Sequence, residues 1–114
     1  MGGLRGYHAH IYFDADEVEA ARDLAARANA EFGCPVGHFH LGPVGPHPRG
    51  SCQLSLRKEQ FGPFAAWAVE ARGELTIFAH GLSGDDPVDH SLYAVWFGPS
   101  EELDVSALDP SPSS

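Results

Sequence analysis

Near the start of the chain, two histidines and a tyrosine alternate with apolar residues, since residues 7–13 read YHAHIYF. Side chains of a β-strand point alternately to its two faces, so a strand here places His8, His10 and Tyr12 on one face and three apolar side chains on the other. Neutral imidazole is a good ligand for divalent iron, zinc, copper and nickel. The segment therefore predicts part of a metal site that other parts of the chain must complete.

Five further histidines could contribute to such a site: His38, His40, His47, His80 and His90. A strand over residues 36–41 would place His38 and His40 on one face, although His38 fits a surface or hydrogen-bonded role better than a ligand role. His47 belongs to the proline-rich stretch 42–48, which must be a stiff loop because proline fixes φ and lacks an N–H donor. His80 would share a strand face with Thr76 and Phe78.

The acidic segment before His90 has two interpretations. Residues 83–90 read SGDDPVDH, a composition that is typical of a tight turn. One of its carboxylates could instead complete a two-histidine, one-carboxylate metal triad or orient His90 as an acid–base group. We favour a turn or supporting role for Asp85 and Asp86 over direct ligation of a metal.

Composition narrows the classes of partner. The 114 residues carry a formal net charge of -9, which argues against binding to a nucleic-acid backbone or an anionic membrane surface. A small neutral or cationic substrate fits this charge better. We find no membrane-spanning apolar run and no signal-peptide pattern, and Cys34 and Cys52 form no CxxC pair. A reduced, cytoplasmic protein is therefore expected.

The hydrophobic pattern predicts the elements that position these residues. We expect strands at 7–13, 36–41, 51–57, 74–79 and 90–97, one helix over 15–32, and a second helix from Pro63 to about Ala71. The order β-α-β-β-α-β with one extra C-terminal strand predicts a ferredoxin-like α+β sandwich. Both helices would cover one sheet face and leave the histidine face open. Residues 1–98 would form one domain, and residues 99–114 an acidic, partly disordered tail.

Three strings carry a resemblance to a known family: YHAHIYFD from residue 7, VGPHP from residue 44 and GDDPVDHSLYAVWFG from residue 84. In order and spacing they resemble the DOPA 4,5-dioxygenase family of aromatic ring-opening enzymes, over about residues 7–98. The resemblance implies a ferredoxin-like fold, usually dimeric. It also implies extradiol cleavage of a catechol such as L-DOPA with non-haem iron(II) and O2.

The resemblance also assigns expected roles to the histidines. A subset of His10, His47 and His80 would hold the metal, with His40 and His8 as further candidates. His8 or His90 would act as the acid–base group, and Tyr12 would hydrogen-bond the oxygen species. Iron(II) is the expected metal, and zinc or another divalent ion could replace it in a purified sample.

The chain departs from the family pattern in two places. Gly81 stands where the family usually has proline, and residues 49–52 (RGSC) replace a segment that is often rich in Met and Phe. These changes leave open a different function, that of a ferredoxin-like dimer that binds a metal or small ligand without turnover. A third interpretation makes the histidines surface residues of an ordinary dimerisation sheet.

Overall fold

The computed structural model describes residues 3–108, which form a four-stranded sheet with helices between the strands. The α-helices and strands are, in chain order, β1 (Gly6–Phe13), α1 (Val18–Phe32), β2 (Gly50–Arg57), α2 (Phe61–Ala71), β3 (Thr76–Gly81), α3 (Asp86–Asp89) and β4 (Ala94–Phe97). Short 3-10 turns precede α1 and α2. The predicted α+β class is confirmed.

The sheet is antiparallel throughout, with the strand order β2-β1-β3-β4. The central strand β1 therefore has a neighbour on each side. Its register pairs His8 with Ser55 of β2 and with His80 of β3. The two strands that carry the predicted site thus lie side by side, and His8 and His80 are direct neighbours.

Local sequence signals explain where α1 begins and ends. The Glu17 side chain accepts a hydrogen bond from the backbone N–H of Asp14 at 2.8 Å, which satisfies a donor at the entrance to the helical segment. Gly33 ends the helix with φ +67°, a left-handed conformation that glycine adopts without steric cost. The predicted helical segment 15–32 is therefore confirmed, as a 3-10 turn that leads into α1.

The apolar half of each strand lies in the core with the helices. Ile11, Leu54 and Ile77 of the three long strands are fully buried together with Leu24 of α1 and Phe64 of α2. Burial of such side chains is worth about 1.5–3 kcal/mol each relative to exposure. The helices thus fix which face of the sheet is left for the histidines.

The prediction of a strand over 36–41 was wrong, because this segment does not form a regular strand. The segment makes only two isolated antiparallel bridges to β2, Val36 with Leu54 and His40 with Ser51. Pro35 lacks an N–H donor and Gly37 has no side chain to pack, so the segment is weakly suited to a continuous ladder. It lies along the outer edge of β2.

The strand predicted over 90–97 begins only at Ala94. Residues Asp86–Asp89 form the short helix α3, in which the Asp85 side chain accepts a hydrogen bond from Val88 N at 3.3 Å and Pro87 occupies the first turn. Both features favour a helix start. His90 follows as the C-terminal cap residue of α3 and is not part of a strand.

The histidine face of the sheet is not open at its centre, contrary to the prediction. His10 is 5% exposed, Tyr12 0% and His80 2%. Irregular segments contact this face: His47 bonds Tyr12, and the ring of His90 lies beside that of His80. Periodicity describes only regular elements, so it could not predict this cover.

Part of the predicted tail packs against the domain. The backbone N–H of Asp104 donates to the carbonyl of Pro46 at 2.9 Å, and Val105–Ala107 form a 3-10 turn. Residues 109–114, to which the prediction of disorder also applied, lie outside the described residues. Within residues 3–108, no helix has the length and apolar character needed to cross a membrane.

Candidate metal centre and adjoining cavity

Three histidines converge at the centre of the sheet. His8 and His10 come from β1 and His80 from β3, and one ring nitrogen of each lies within 4.8 Å of the others. The Nε2 atoms of His10 and His80 are 3.1 Å apart. Two nitrogens that each lie about 2.1 Å from one ion are separated by about 3 Å when they subtend a right angle. The spacing of His10 and His80 therefore fits two ligands of a single metal ion.

The backbone fixes the orientation of His80. Its Nδ1 donates to the carbonyl of Gly81 at 3.1 Å, so the neutral ring keeps a lone pair on Nε2. A ligating histidine commonly donates its other N–H to a backbone carbonyl or carboxylate in this way. His80 is thus held with its Nε2 lone pair towards His10.

His90 is oriented in the same manner from the other side. Its Nδ1 donates to the carbonyl of Asp86 at 2.8 Å, and its ring centroid is 4.0 Å from that of His80. The ring remains partly exposed. His90 therefore lies beside the metal group without belonging to it, with its Nδ1 held by the backbone.

His47 also lies beside His10. Its ring centroid is 4.2 Å from that of His10, and its Nδ1 is 2.7 Å from the hydroxyl oxygen of Tyr12. His47 was predicted as a ligand and His8 as a further candidate. In the geometry of residues 3–108, His8 joins His10 and His80 in the close group, whereas His47 is engaged by Tyr12.

The carboxylates of the loop before His90 stabilise the loop itself. Asp89 is buried and accepts hydrogen bonds from the backbone N–H and the hydroxyl of Ser83. Asp85 caps α3, and Asp86 orients His90 through its carbonyl and not through its carboxylate. Among residues 3–108 no carboxylate joins the close histidine group.

Burial keeps the central imidazoles neutral. Desolvation, with repulsion from neighbouring histidines, lowers the pKa of His47 and of His80 to about 4, and that of His10 well below its ordinary value. Desolvation likewise lowers the pKa of His8 and raises that of the Tyr12 hydroxyl. Neutral imidazole is the form that binds a metal, so these rings are ready to do so at neutral pH.

A cavity of about 340 Å³ adjoins His10, a volume near the lower end of small-molecule sites. Its wall includes His40, His47, Ser51 and Gln53, and contains no Lys, Arg, Asp or Glu among the described residues. His38 and His40 are exposed, with ring centroids 4.9 Å apart. His40 therefore lies on the cavity wall and not in the metal group.

Sequence reasoning missed two features around the site. Trp96 of β4 packs against Phe78 with the two rings tilted and their centroids 4.6 Å apart, and so extends the aromatic surface beside the histidines. Arg49 pairs with Glu101 at 2.7 Å and with Asp14 at 3.1 Å, and lies over the Tyr12 ring. The strand register could have indicated the first feature, but no local pattern links residues 49 and 101.

Comparisons with known proteins find a matching family, a related sequence and a related structure. The sequence model of the Dopa 4,5-dioxygenase family matches residues 7–107. The chain is 32% identical to DOPA 4,5-dioxygenase of Amanita muscaria, over 92% of this chain and 50% of that protein. It is also similar to the crystal structure of a candidate dioxygenase from Nostoc punctiforme, with a TM-score of 0.78, 35% identity, and coverage of 91% and 90% of the two chains. The chain thus spans half the length of the Amanita protein and nearly all of the Nostoc one.

Proposed function

We propose that this chain, which belongs to the Dopa 4,5-dioxygenase family, is an extradiol dioxygenase that opens the ring of a small catechol with non-haem iron(II) and O2. The observation that carries the proposal is the convergence of His8, His10 and His80 on one point. Three neutral imidazoles are a suitable donor set for a divalent metal that keeps positions for other ligands. Extradiol chemistry needs such positions for a diol and for oxygen.

The spacing of the three rings and the hydrogen bonds of two of them support this ligand set. His10 and His80 are the two best supported ligands, because their Nε2 atoms are 3.1 Å apart and the backbone orients His80. His8 is the third by proximity. Bound iron(II) would supply the redox chemistry that joins O2 to the ring.

His90 is placed to handle the protons of the reaction. Its Nδ1–H is held by the Asp86 carbonyl, so its Nε2 lone pair can accept a proton from a catechol hydroxyl and later return one to the product. Since His8 serves as a ligand in this scheme, His90 is the acid–base group. His90 retains contact with solvent, which lets it exchange that proton.

The cavity supports a small aromatic substrate. It lies against His10 and its wall has no Lys, Arg, Asp or Glu among the described residues, so a catechol ring could reach the metal group without meeting an acidic side chain, a lysine or an arginine. The net charge of -9 further favours a substrate without large negative charge. A catechol with a neutral or zwitterionic side chain, of which L-DOPA is an example, has these properties.

The proposal extends to the fold topology, the domain bounds, the oligomeric state and the location of the protein. A ferredoxin-like sandwich with β4 added remains our proposal for the topology, and the bridges that place segment 36–41 at the edge of β2 support it. We expect one domain over residues 1–98 with an appended tail, a homodimer, and a cytoplasmic location.

Reconstitution with iron tests the proposal. The purified protein, stripped of metal and loaded anaerobically with iron(II), should convert one or more members of a catechol panel to yellow ring-opened products when O2 is admitted. His10→Ala should abolish product formation, whereas the control Arg57→Met, at an exposed residue outside the cavity wall, should retain it. Bound iron without product from any catechol would contradict the enzyme assignment. It would favour the alternative, a ferredoxin-like dimer that binds a metal or small ligand without turnover.

A further inference from the structure

The hydroxyl of Tyr12 has one acceptor available to it. Tyr12 is fully buried, and among residues 3–108 its hydroxyl has a single hydrogen-bond partner, Nδ1 of His47 at 2.7 Å. A neutral phenol must donate its proton somewhere, since a buried O–H without an acceptor costs about 1–3 kcal/mol. Tyr12 therefore donates to His47, and Nδ1 of His47 carries a lone pair.

The tautomer of His47 follows from this bond. A neutral imidazole holds one proton, so a bare Nδ1 requires the proton on Nε2. His80 is in the opposite state, because it donates its Nδ1–H to the Gly81 carbonyl and leaves Nε2 bare. The two rings thus differ chemically although both are neutral histidines of one site.

The protonated nitrogen of His47 is not fully buried. Nε2 of His47 has no hydrogen-bond partner among residues 3–108, and within those residues no fully buried side-chain nitrogen or oxygen lacks a partner. Nε2 must therefore have some exposed surface. His47 forms part of the cavity wall beside His10, so a molecule bound in the cavity can contact this ring.

We propose that Tyr12 holds His47 as the Nε2–H tautomer, so that His47 is a hydrogen-bond donor to a catecholate oxygen in the cavity and not a metal ligand. The inference rests on the proposed function only for the identity of the acceptor. A donor here would stabilise the negative charge that a catechol acquires when its hydroxyl loses a proton. It assigns Tyr12 as a positioning residue that acts through His47.

Nitrogen-15 NMR of the histidine rings tests the tautomer directly. In the purified protein at neutral pH, His47 should show a protonated Nε2 and a bare Nδ1, and His80 the reverse. Addition of zinc(II), a diamagnetic substitute for iron, should shift the ring nitrogens of His10 and His80 and leave the tautomer of His47 unchanged. A proton on Nδ1 of His47, or a zinc-bound His47, would overturn the proposal.

Variants test the role of Tyr12 and the contact between His47 and a bound catechol. Tyr12→Phe should convert His47 to a mixture of tautomers, whereas the control Tyr7→Phe, which alters a tyrosine stacked on Phe61, should not. In the zinc-loaded protein, His47→Phe should weaken catechol binding by about 10-fold or more, and His47→Gln, which keeps an N–H donor, should recover most of that loss. Equal catechol affinity in the Phe variant would overturn the proposed contact.

These measurements separate the inference from the enzyme assignment. The tautomer, the zinc response and catechol affinity are all read without turnover. If the iron-loaded protein opened no catechol but His47 showed Nε2–H and donated to a bound diol, the enzyme assignment would fail and the inference would stand.

Discussion

The Nε2 atoms of His10 and His80 lie 3.1 Å apart across neighbouring antiparallel strands. The two residues are 70 positions apart in the chain, and they meet because β1 pairs with β3 in the register that sets His8 opposite His80. In the metal-free protein one ring donates to the other, whereas with metal both lone pairs can reach the ion. The contact is thus a hydrogen bond that a metal ion would replace.

Metal affinity should depend on this pair. His10→Ala or His80→Ala should weaken zinc(II) or iron(II) binding by at least about 100-fold, because loss of a ligand costs no less than loss of a residue that supports one. Calorimetric titration of metal into stripped protein measures the effect. The exposed His38 supplies the control, His38→Ala, and unchanged metal affinity in the His10 variant would refute the site.

Acid should destabilise the metal-free protein through the buried imidazoles. Their pKa in the folded state, about 4 for His47 and His80, is below the value of about 6.5 expected in the unfolded chain. The unfolded state therefore binds more protons between these pH values, and stability falls as the pH drops from about 6.5 towards 4.

Urea unfolding at two pH values measures this loss. Between pH of about 7.5 and 5, each of the two histidines should lower the free energy of unfolding by on the order of 2 kcal/mol. His80→Phe should lose less stability over the same interval than the wild type, while the exposed His38→Gln should match the wild type. A free energy of unfolding that does not change with pH would show that these rings are not buried as neutral groups.

Arg49 should hold the tail and the His47 loop to the domain. It pairs with Glu101 at 2.7 Å and with Asp14 and Glu17, and its side chain is only 25% exposed. Arg49→Met should lower the free energy of unfolding by about 1–2 kcal/mol and speed amide exchange at Asp104, whose N–H bonds the Pro46 carbonyl.

An exposed ion pair provides the matched control for that variant. Arg57 pairs with Glu59 at the surface, where such pairs contribute about 0–1 kcal/mol. Arg57→Met should therefore change stability little and leave exchange at Asp104 as it was. Equal effects of the two substitutions would remove any special role for Arg49.

Gly50 should not tolerate a side chain. A Cβ atom at this position would lie 2.8 Å from the carbonyl oxygen of Phe13, across the β1–β2 pair. Gly50→Ala should lower the free energy of unfolding by about 1–3 kcal/mol, as expected for overpacking against backbone. Gly62→Ala in α2 is the control, since nothing lies within 4 Å of the added atom, and thermal unfolding compares the two.

Alternation and helical spacing predicted most of the fold. They placed β1, β2, both long helices and the main part of β3, because these elements have one apolar face each and the pattern records it. They failed at 36–41 and at His90, where the alternating pattern is not accompanied by a continuous ladder of inter-strand hydrogen bonds. Whether such a segment forms a strand depends on hydrogen bonds with a partner that is distant in the sequence. Periodicity does not report that partner.

The site was predictable to the extent that it lies on strands. Alternation alone placed His8, His10, Tyr12 and His80 on one face, where the structure has them. It could not set His47 beside Tyr12, nor distinguish the tautomers of His47 and His80, because a loop and two backbone carbonyls determine those contacts. Candidate ligands were therefore visible in the sequence, but their separate roles required coordinates.

Labelling with oxygen-18 tests the central claim most directly. The iron(II)-loaded protein, supplied with its best catechol under ¹⁸O2, should yield a ring-opened product that contains both oxygen atoms of one O2 molecule, as mass spectrometry of rapidly quenched samples would show. Bond cleavage should lie beside the diol and not between its two carbons. A product with a single labelled oxygen, with cleavage between the hydroxylated carbons, or no product at all, would contradict the assignment of an extradiol dioxygenase.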